Sequence, residues 1–271
     1  MNKTNPGVAL VTGASSGIGH ASAKALQNAG FRVFGTSRRA AAEQSDGVTM
    51  LACDVTDDAS VAKLVKDVLD EAGRIDVLVN NAGIGLVGGA EESSTAQAQA
   101  LFDVNVFGIL RMTNAVLPTM RRQGKGRIVN LSSVLGFIPA PYSALYASTK
   151  HAVEGYSESL DHELRAFGVR VVLVEPAYTR TAFGENLARP DQLLGVYDAA
   201  RAGISATLRK ALEAGDAPDV VARTVLKAAT DSVPRMRYAA GKMARQVGLL
   251  RRFVPASAFD KSLRKQNGLP V

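Results

Sequence analysis

The chain has 271 residues, 46% of them hydrophobic and 21% charged, with a formal net charge of +7. This composition is that of a soluble globular protein and excludes disordered and fibrous classes. A chain of this length buries roughly 75% of its unfolded surface and needs no covalent staple. The one cysteine, Cys53, excludes an intrachain disulfide and lies in the apolar run "VTMLACDV" as a core residue. A reducing cytoplasm is the expected compartment. The N-terminal "MNKTNPG" lacks the apolar stretch of a signal peptide. No apolar run is expected to approach the ~18 residues of a membrane span. The charge is uneven: residues 232–271 hold nine Lys/Arg against the single acid Asp260, and the rest of the chain sums to −1. Basic character confined to the end argues against nucleic-acid binding, which calls for a basic face on the whole domain.

In chain order, Val8–Thr12 reads as the first strand and runs into "TGASSGIGHASAKAL", a glycine turn opening a helix. Apolar, β-rich runs at Phe31–Ser37, Val48–Cys53, Ile75–Asn80, Arg127–Leu131 and Val169–Glu175 read as further strands. Between them Val61, Leu64, Val65, Val68 and Leu69 fall on one helical face, with Asp57 or Asp58 as the cap. Tyr146–Phe167 is a long helix ended by Gly168. Thr179–Ala214 is helical but irregular, as an insertion over a site would be. Ala217–Ala229 is a clearer helix, and "RMRYAAG" is a last short strand. Alternation of strand and helix gives parallel strands with crossover helices. The expected fold is α/β, a Rossmann-like doubly wound parallel sheet with helices on both faces. One domain over residues 1–271 is expected, with a core at 1–181, a substrate-binding insertion at 182–215 and a basic extension at 232–271. No internal repeat or linker interrupts it.

Two chemistries compete for the first turn. Gly13-Ala14-Ser15-Ser16-Gly17 matches the G-x-S-x-G elbow of serine hydrolases. That reading needs an acid and then a histidine later in the chain, but the only histidines are His20, His151 and His162. The last two share one predicted helix, so no triad assembles, and with no second cysteine no zinc site does either. The better reading is a phosphate cradle. Glycines let the backbone approach a pyrophosphate, and the helix N-terminus favours anions. At the second strand's end, where a ribose 2′-hydroxyl would call for an acid, stand Thr36-Ser37-Arg38-Arg39. Arginine suits a 2′-phosphate, so NADP(H) is preferred over NAD(H), with Arg38 first and Ser37 or Arg39 assisting.

Further on, "LYASTK" sets Tyr146 and Lys150 at i and i+4 on one helical face. A cation one turn away favours phenolate and suits proton transfer at an alcohol or carbonyl oxygen. Ser133 follows "RIVNLS" at a strand end, where its hydroxyl can bond the same oxygen.

Together, "TGASSGIG", "CDV", "NNAG", "DVNVFG", "NLSSVLG" and "YASTK" resemble the short-chain dehydrogenase/reductase family in its smaller, single-domain branch, over about Val8 to Thr181. The resemblance implies an oxidoreductase moving hydride between a nicotinamide and a carbonyl or secondary alcohol. It implies Tyr146 as general acid/base, Lys150 as its cationic partner and nicotinamide-ribose ligand, Ser133 (not Ser132) as substrate-oxygen partner, and Asn105 as holder of a relay water. Tyr142, lacking a lysine at i+4, is set aside. Implied cofactor contacts are Gly13, Ser15, Gly17, Ile18 and Gly19 at the phosphates, Asp54 and Val55 at adenine, and Asn81, Ala82 and Gly83 at the ribose. Pro176, Thr179 and Thr181 of "PAYTRT" would meet the carboxamide, although Ala177 and Thr179 depart from the family pattern.

The segments expected at the substrate, "IGLVGGA" and "VLGFIPAPYSAL", are apolar, which points to a lipid-like ketone or alcohol. The layout also resembles hydroxysteroid and retinol dehydrogenase relatives. The alternative is a 3-oxoacyl reductase acting on an acyl carrier protein or CoA thioester, and a non-catalytic NADP sensor is the alternative of another class. The family implies a homodimer or homotetramer through the helices around Ala96–Met120 and Tyr146–Phe167. The basic tail reads first as packed helices with a solvated face, and second as a contact for an anionic membrane or an acidic carrier protein.

Overall fold

The first strand, β1 (Val8–Val11), is buried at all four positions rather than alternating. Strands covered on both faces read as unbroken apolar runs, and that is the local signature of a parallel sheet between two helix layers. In the computed structural model, which describes residues 7–39, 44–45 and 47–270, β1 is joined by β2 (Arg32–Ser37), β3 (Gln44–Ser45), β4 (Val48–Ala52), β5 (Val77–Asn80), β6 (Gly126–Leu131), β7 (Val169–Pro176) and β8 (Arg237–Ala240). They form one sheet in the order β3-β4-β2-β1-β5-β6-β7-β8. All pairings are parallel except the antiparallel β3–β4 edge. Leu10 of β1 lies opposite Phe34 of β2 and Leu78 of β5. The chain winds outward from β1 to β4, then returns to β5. The order therefore reverses between β1 and β5, the place where open α/β sheets bind ligands.

The helices are α1 (Gly17–Asn28), α2 (Asp58–Ala72), α3 (Thr95–Phe102), α4 (Gly108–Gln123), α5 (Ala144–Leu164), α6 (Ala182–Glu185), α7 (Asp198–Glu213), α8 (Pro218–Thr230), α9 (Gly241–Phe253) and α10 (Ala256–Gln266). One face of the sheet takes Ala23 and Leu26 of α1 with Val221 and Val225 of α8. The other takes Leu64 and Val68 of α2, Met112 and Val116 of α4, and Leu164 of α5. The expected helix face of α2 is the buried one, and its cap is Asp57, whose carboxylate accepts from the Ala59 amide at 3.0 Å. Gly168, at φ 71°, ends the α5 segment after one 3-10 turn, because a left-handed residue is needed there.

The expected strands recur within two residues at each end, and "RMRYAAG" contains β8. The two-residue β3 was not expected, since "EQSDG" carries neither apolar alternation nor β-branched residues. The irregular stretch 179–214 resolves into α6, a loop with a 3-10 turn at Gly195–Tyr197, and α7. One expectation is corrected. Thr95–Gln123 is a 29-residue helical run with mean hydropathy 1.3 over its most apolar 18 residues, so by length and composition one helix could cross a membrane. Part of its apolarity serves the sheet: Met112, Val116 and Met120 are fully buried in the core beneath it, while Phe107 and Leu110 are exposed.

A buried ion cluster fixes α5 onto β7. Asp161 is fully buried and accepts from Arg170 Nε at 2.8 Å, Arg165 Nε at 2.8 Å and the Val171 amide at 2.9 Å. Burial alone would raise the Asp161 pKa, but the bonds from Arg170, Val171 and Arg165 outweigh it and hold the carboxyl below its ordinary range. Asp161→Ala is expected to cost about 3 kcal/mol, the low end for a broken buried pair because both arginines reach solvent. A folded-state pKa below the unfolded value gives stability above pH ~4 that is lost on further acidification. Denaturant unfolding of both proteins should therefore show the gap at pH 7 and its shrinkage below pH ~4.

Candidate active site

The glycine turn is held from across the sheet. Thr12 Oγ1 accepts from the Asn81 and Ala82 amides, each at 3.0 Å, and Asn81 Nδ2 donates to the carbonyls of Thr12 at 2.9 Å and Gly13 at 3.1 Å. The Asn81 side chain thus shapes the turn itself. Gly13 (φ 65°) and Gly17 (φ 56°) are left-handed. Gly19 admits no side chain, since a Cβ there would stand 2.1 Å from the Gly13 carbonyl oxygen. The α1 N-terminus has no side-chain cap from Ser16 and no acid in its first turn. Its orphan N–H groups and positive dipole end are therefore available to an anion. Thr181 lies over this turn, its Cβ 3.2 Å from where a Gly17 side chain would begin. A narrow glycine cradle with an uncapped helix end fits a dinucleotide's pyrophosphate.

At the far end of the cradle, β2 stops at Ser37, whose carbonyl accepts from the Cys53 amide at 3.0 Å. Arg38 and Arg39 follow, both exposed. Asp54 Oδ1 accepts from the Thr56 amide at 2.9 Å and its hydroxyl at 2.7 Å. These two bonds, aided by Arg38 and Arg111, hold the Asp54 carboxyl below its ordinary range. Val55 is buried, and a side chain on Gly108 would run into it.

Between α3 and α4 a π-helical turn, Asp103–Phe107, carries Asn105 inward to near-complete burial. Its Nδ2 donates to the Ile84 carbonyl at 2.9 Å and to Thr149 Oγ1 at 3.2 Å, while Oδ1 accepts from the Ile84 amide at 2.9 Å. The Asn105 amide therefore ties the loop after β5 to α5. Ser132 is buried and faces Glu154, whereas Ser133 is half-exposed and starts the 3-10 turn Val134–Gly136, accepting from the Leu135 amide at 3.2 Å. Lys150 Nζ donates to the Leu131 carbonyl at 2.8 Å and lies 5.7 Å from the Tyr146 ring centroid. Burial pulls the Lys150 ammonium down to about 8, with Glu154 opposing. Burial pushes the Tyr146 phenol above its ordinary value. The lowering expected from the cation is absent in the chain alone, where Nζ is anchored on a carbonyl and desolvation governs the phenol.

The insertion roofs this cluster. The Phe183 ring of α6 sits 6.0 Å from the Tyr146 ring. Leu187 and Phe183 crowd Gly85, where a Cβ would come within 2.4 and 2.8 Å of them. Leu86 bridges to Ala188 in parallel fashion, and the Ala188 amide donates to the Gly85 carbonyl at 2.8 Å. Glu92, wholly buried, accepts from the amides of Gly89 and Leu194 at 2.9 Å each and from Arg201 of α7. Tyr142 (φ 60°) meets Tyr197 edge-on at 6.2 Å. Thr179 is buried, with its hydroxyl donating to the Ala177 carbonyl at 3.3 Å, while Pro176 ends β7.

Behind Lys150 lies an acidic pair that sequence reasoning did not single out. Glu154, one turn on, and Glu175 of β7 are both almost fully buried. Arg237 Nε from β8 stands 3.0 Å from Glu154 Oε2 and 3.1 Å from Glu175 Oε1. The legible signals were an acid at i+4 from Lys150 and a lone acid in the apolar run "VRVVLVEP". Among the described residues no group of acids, histidines and cysteines is arranged to hold a metal ion.

The profile of the short chain dehydrogenase family matches residues 7–192. The chain belongs to that family, and it is an oxidoreductase acting on CH–OH or C=O groups with NAD(P). It is 42% identical over 181 residues, 67% of each chain, to a 3-ketodihydrosphingosine reductase of Bacteroides thetaiotaomicron. A short-chain dehydrogenase from Streptomyces avermitilis superposes with a TM-score of 0.83 at 35% identity, covering 98% of this chain and 99% of that one. A Burkholderia phymatum family member in complex with NAD gives 0.79 at 26% identity, covering 93% and 95% of the two chains. A metagenomic short-chain oxidoreductase in complex with NADP gives 0.66 at 30% identity, covering 87% and 98%.

Burial first, and then the Glu154 charge, pushes Glu175 up to about 7 from an ordinary 4.5. The folded chain keeps this proton where the unfolded chain has lost it, so stability falls as pH rises from 4.5 to about 7. Glu175→Gln removes that cost while Arg237 retains Glu154. The variant should melt at higher temperature than the parent at pH 8 and at the same temperature at pH 4. Calorimetry at both values tests this, and an unchanged melting point at pH 8 would reject the assignment.

Proposed function

We propose that this protein is an NADP-preferring carbonyl reductase or alcohol dehydrogenase for an apolar, lipid-like substrate, with Tyr146, Lys150, Ser133 and Asn105 as its catalytic set. The observation that carries this reading is Tyr146 beside Lys150 under an apolar roof, in the same chain as a phosphate-ready glycine turn. When bound, the nicotinamide supplies or accepts the hydride. Tyr146 gives its proton to the carbonyl oxygen as that oxygen gains charge, and takes one back in the reverse direction. A phenol raised by burial is fully protonated at neutral pH, the state a donor needs. Lys150, still largely cationic below pH 8, stabilises the phenolate left behind. The Ser133 hydroxyl donates to the same substrate oxygen, and Asn105 holds the relay water and fixes the loop beside it. Gly13, Ser15, Gly17, Ile18 and Gly19 hold the phosphates, Asp54 and Val55 the adenine, and Asn81, Ala82 and Gly83 border the ribose. Pro176, Thr179 and Thr181 flank the nicotinamide.

The NADP preference rests on Arg38, with Ser37 and Arg39, at an acid-free strand end. The lipid-like substrate is supported by Phe183, Leu187 and Leu86 around the mouth and by the relative named for reduction of a sphingoid ketone. A homodimer or homotetramer is supported by the exposed Phe107 and Leu110, which border a groove of about 360 Å³ between α2 and α4. We place the enzyme in the cytoplasm, in line with its single reduced cysteine.

Tyr146→Phe and Lys150→Ala are expected to lose ~10²-fold or more in turnover while NADPH titration shows retained binding. Full turnover by Tyr146→Phe would overturn the catalytic assignment. A ketone and alcohol panel read by NADPH absorbance gives the substrate class. Turnover of 3-oxoacyl thioesters alone would favour the thioester alternative, and no turnover of any member would favour a non-catalytic sensor. Arg38→Ala should weaken NADPH binding by roughly tenfold, as expected for a lost charge-assisted phosphate contact, and leave NADH unaffected. Equal NADPH affinity in parent and variant would remove the preference.

A further inference from the structure

Helix α9, near the end of the chain, presents an apolar face that none of the described residues covers. Met243, Leu250 and Phe253 lie at i, i+7 and i+10, so they share one side of the helix, and Leu249 stands beside them. Their exposures are 46%, 50%, 71% and, for Leu249, 59%. The opposite side is the packed one: Ala244 is wholly buried, and α9 lies against β8. Arg245 and Arg252 flank the apolar side, and the Arg252 guanidinium lies over the Phe253 ring at 5.4 Å from its centroid. The following helix, α10, has no buried residue and meets α9 through Arg251 over the Phe259 ring at 5.6 Å. Residues 241–266 carry seven Lys/Arg and one acid, while the chain before residue 232 sums to −1.

We infer that α9 and α10 form a docking surface for an anionic lipid bilayer, with α9 lying in the interface plane. The geometry suits this occupant in both respects. Large apolar side chains half or more exposed enter the acyl boundary, and long basic side chains at the rim reach the headgroups. A second copy of the chain is disfavoured, because a two-fold contact would set this cationic face against itself. An acidic protein would answer the charge but gives Met243, Leu249, Leu250 and Phe253 no hydrocarbon to enter. The surface adjoins the candidate site, since α9 also packs against the Val134–Gly136 turn that follows Ser133. A bound enzyme would therefore hold one wall of its cleft close to the lipid. The inference does not require the substrate reading above to hold.

Co-sedimentation of the full chain with vesicles tests it. Binding is expected to vesicles of phosphatidylcholine with about one-third phosphatidylglycerol, and not to phosphatidylcholine alone, because each basic residue near an anionic surface adds attraction. It should fall about tenfold or more between low and high salt as the charges are screened. Two double variants separate the contributions: Arg245→Glu with Arg252→Glu, and Leu250→Ser with Phe253→Ser. Each should weaken binding at least about tenfold, with melting temperature and NADPH binding unchanged. Equal binding to neutral and anionic vesicles, or no binding to either, would overturn the inference. So would parent-like binding by either variant, or capture of an acidic carrier protein by this face without vesicle binding.

Discussion

The contact between the ends of β1 and β5 is what the remainder of the site depends on. Thr12 and Asn81 exchange side-chain and backbone bonds across the point where strand order reverses. Parallel strands diverge beyond their last ladder bond, and this clamp keeps the two loops together where they would otherwise separate. The glycine turn is bent by it, α1 starts in the direction it sets, and Thr181 can then reach over the turn. Because the bonds involve only a hydroxyl, an amide and main-chain groups, their strength varies little with pH or salt. The cradle is accordingly a preformed feature of the sheet, and a ligand entering it need not order the loop first.

The sheet was legible because both of its faces are covered. Long apolar runs such as "VRVVLV" have no other economical explanation between turn residues, and the helices between them showed one-sided periodicity. The cofactor cradle and the Tyr146–Lys150 pair were legible for a different reason: each depends on a fixed local spacing. What escaped depends on contacts remote in sequence. Glu92 meets Arg201 across 109 positions and Glu154 meets Arg237 across 83, and no spacing rule joins such residues. The inward turn of Asn105 was also hidden, because a π turn shifts a helix by one residue without changing composition. The apolar rod Thr95–Gln123 escaped for another reason: polar residues interrupt its apolar ones, so no unbroken run marks it, and only the continuous helix brings them together.

A further buried charge cluster lies behind the cleft, apart from those at Asp161 and Glu92. From the cleft outward through α5, β7 and β8, two acids, Glu154 and Glu175, lie between two cations, Lys150 and Arg237. Burial favours loss of the Lys150 proton, and the Glu154 charge behind it offsets part of that desolvation. The acids in turn repel each other and are bridged by Arg237 Nε, while its Nη1 turns to Glu158. The insertion over the cleft is fastened separately, through Glu92 and the Ala188 bridge, and its Phe183 ring meets Tyr146, whose own ring lies beside Lys150.

The position of Arg237 sets an order on biosynthesis. Every other member of the charge network lies in the first 175 residues, and the cation that balances the two acids comes from the last strand. A nascent chain that has released α5 and β7 but not β8 holds two acids facing each other with only Lys150 near Glu154 and no cation between them. Until about 237 residues have left the ribosome, that edge of the sheet has reason to stay open. β8 therefore latches that edge of the sheet, since its arginine is the group that joins the two acids.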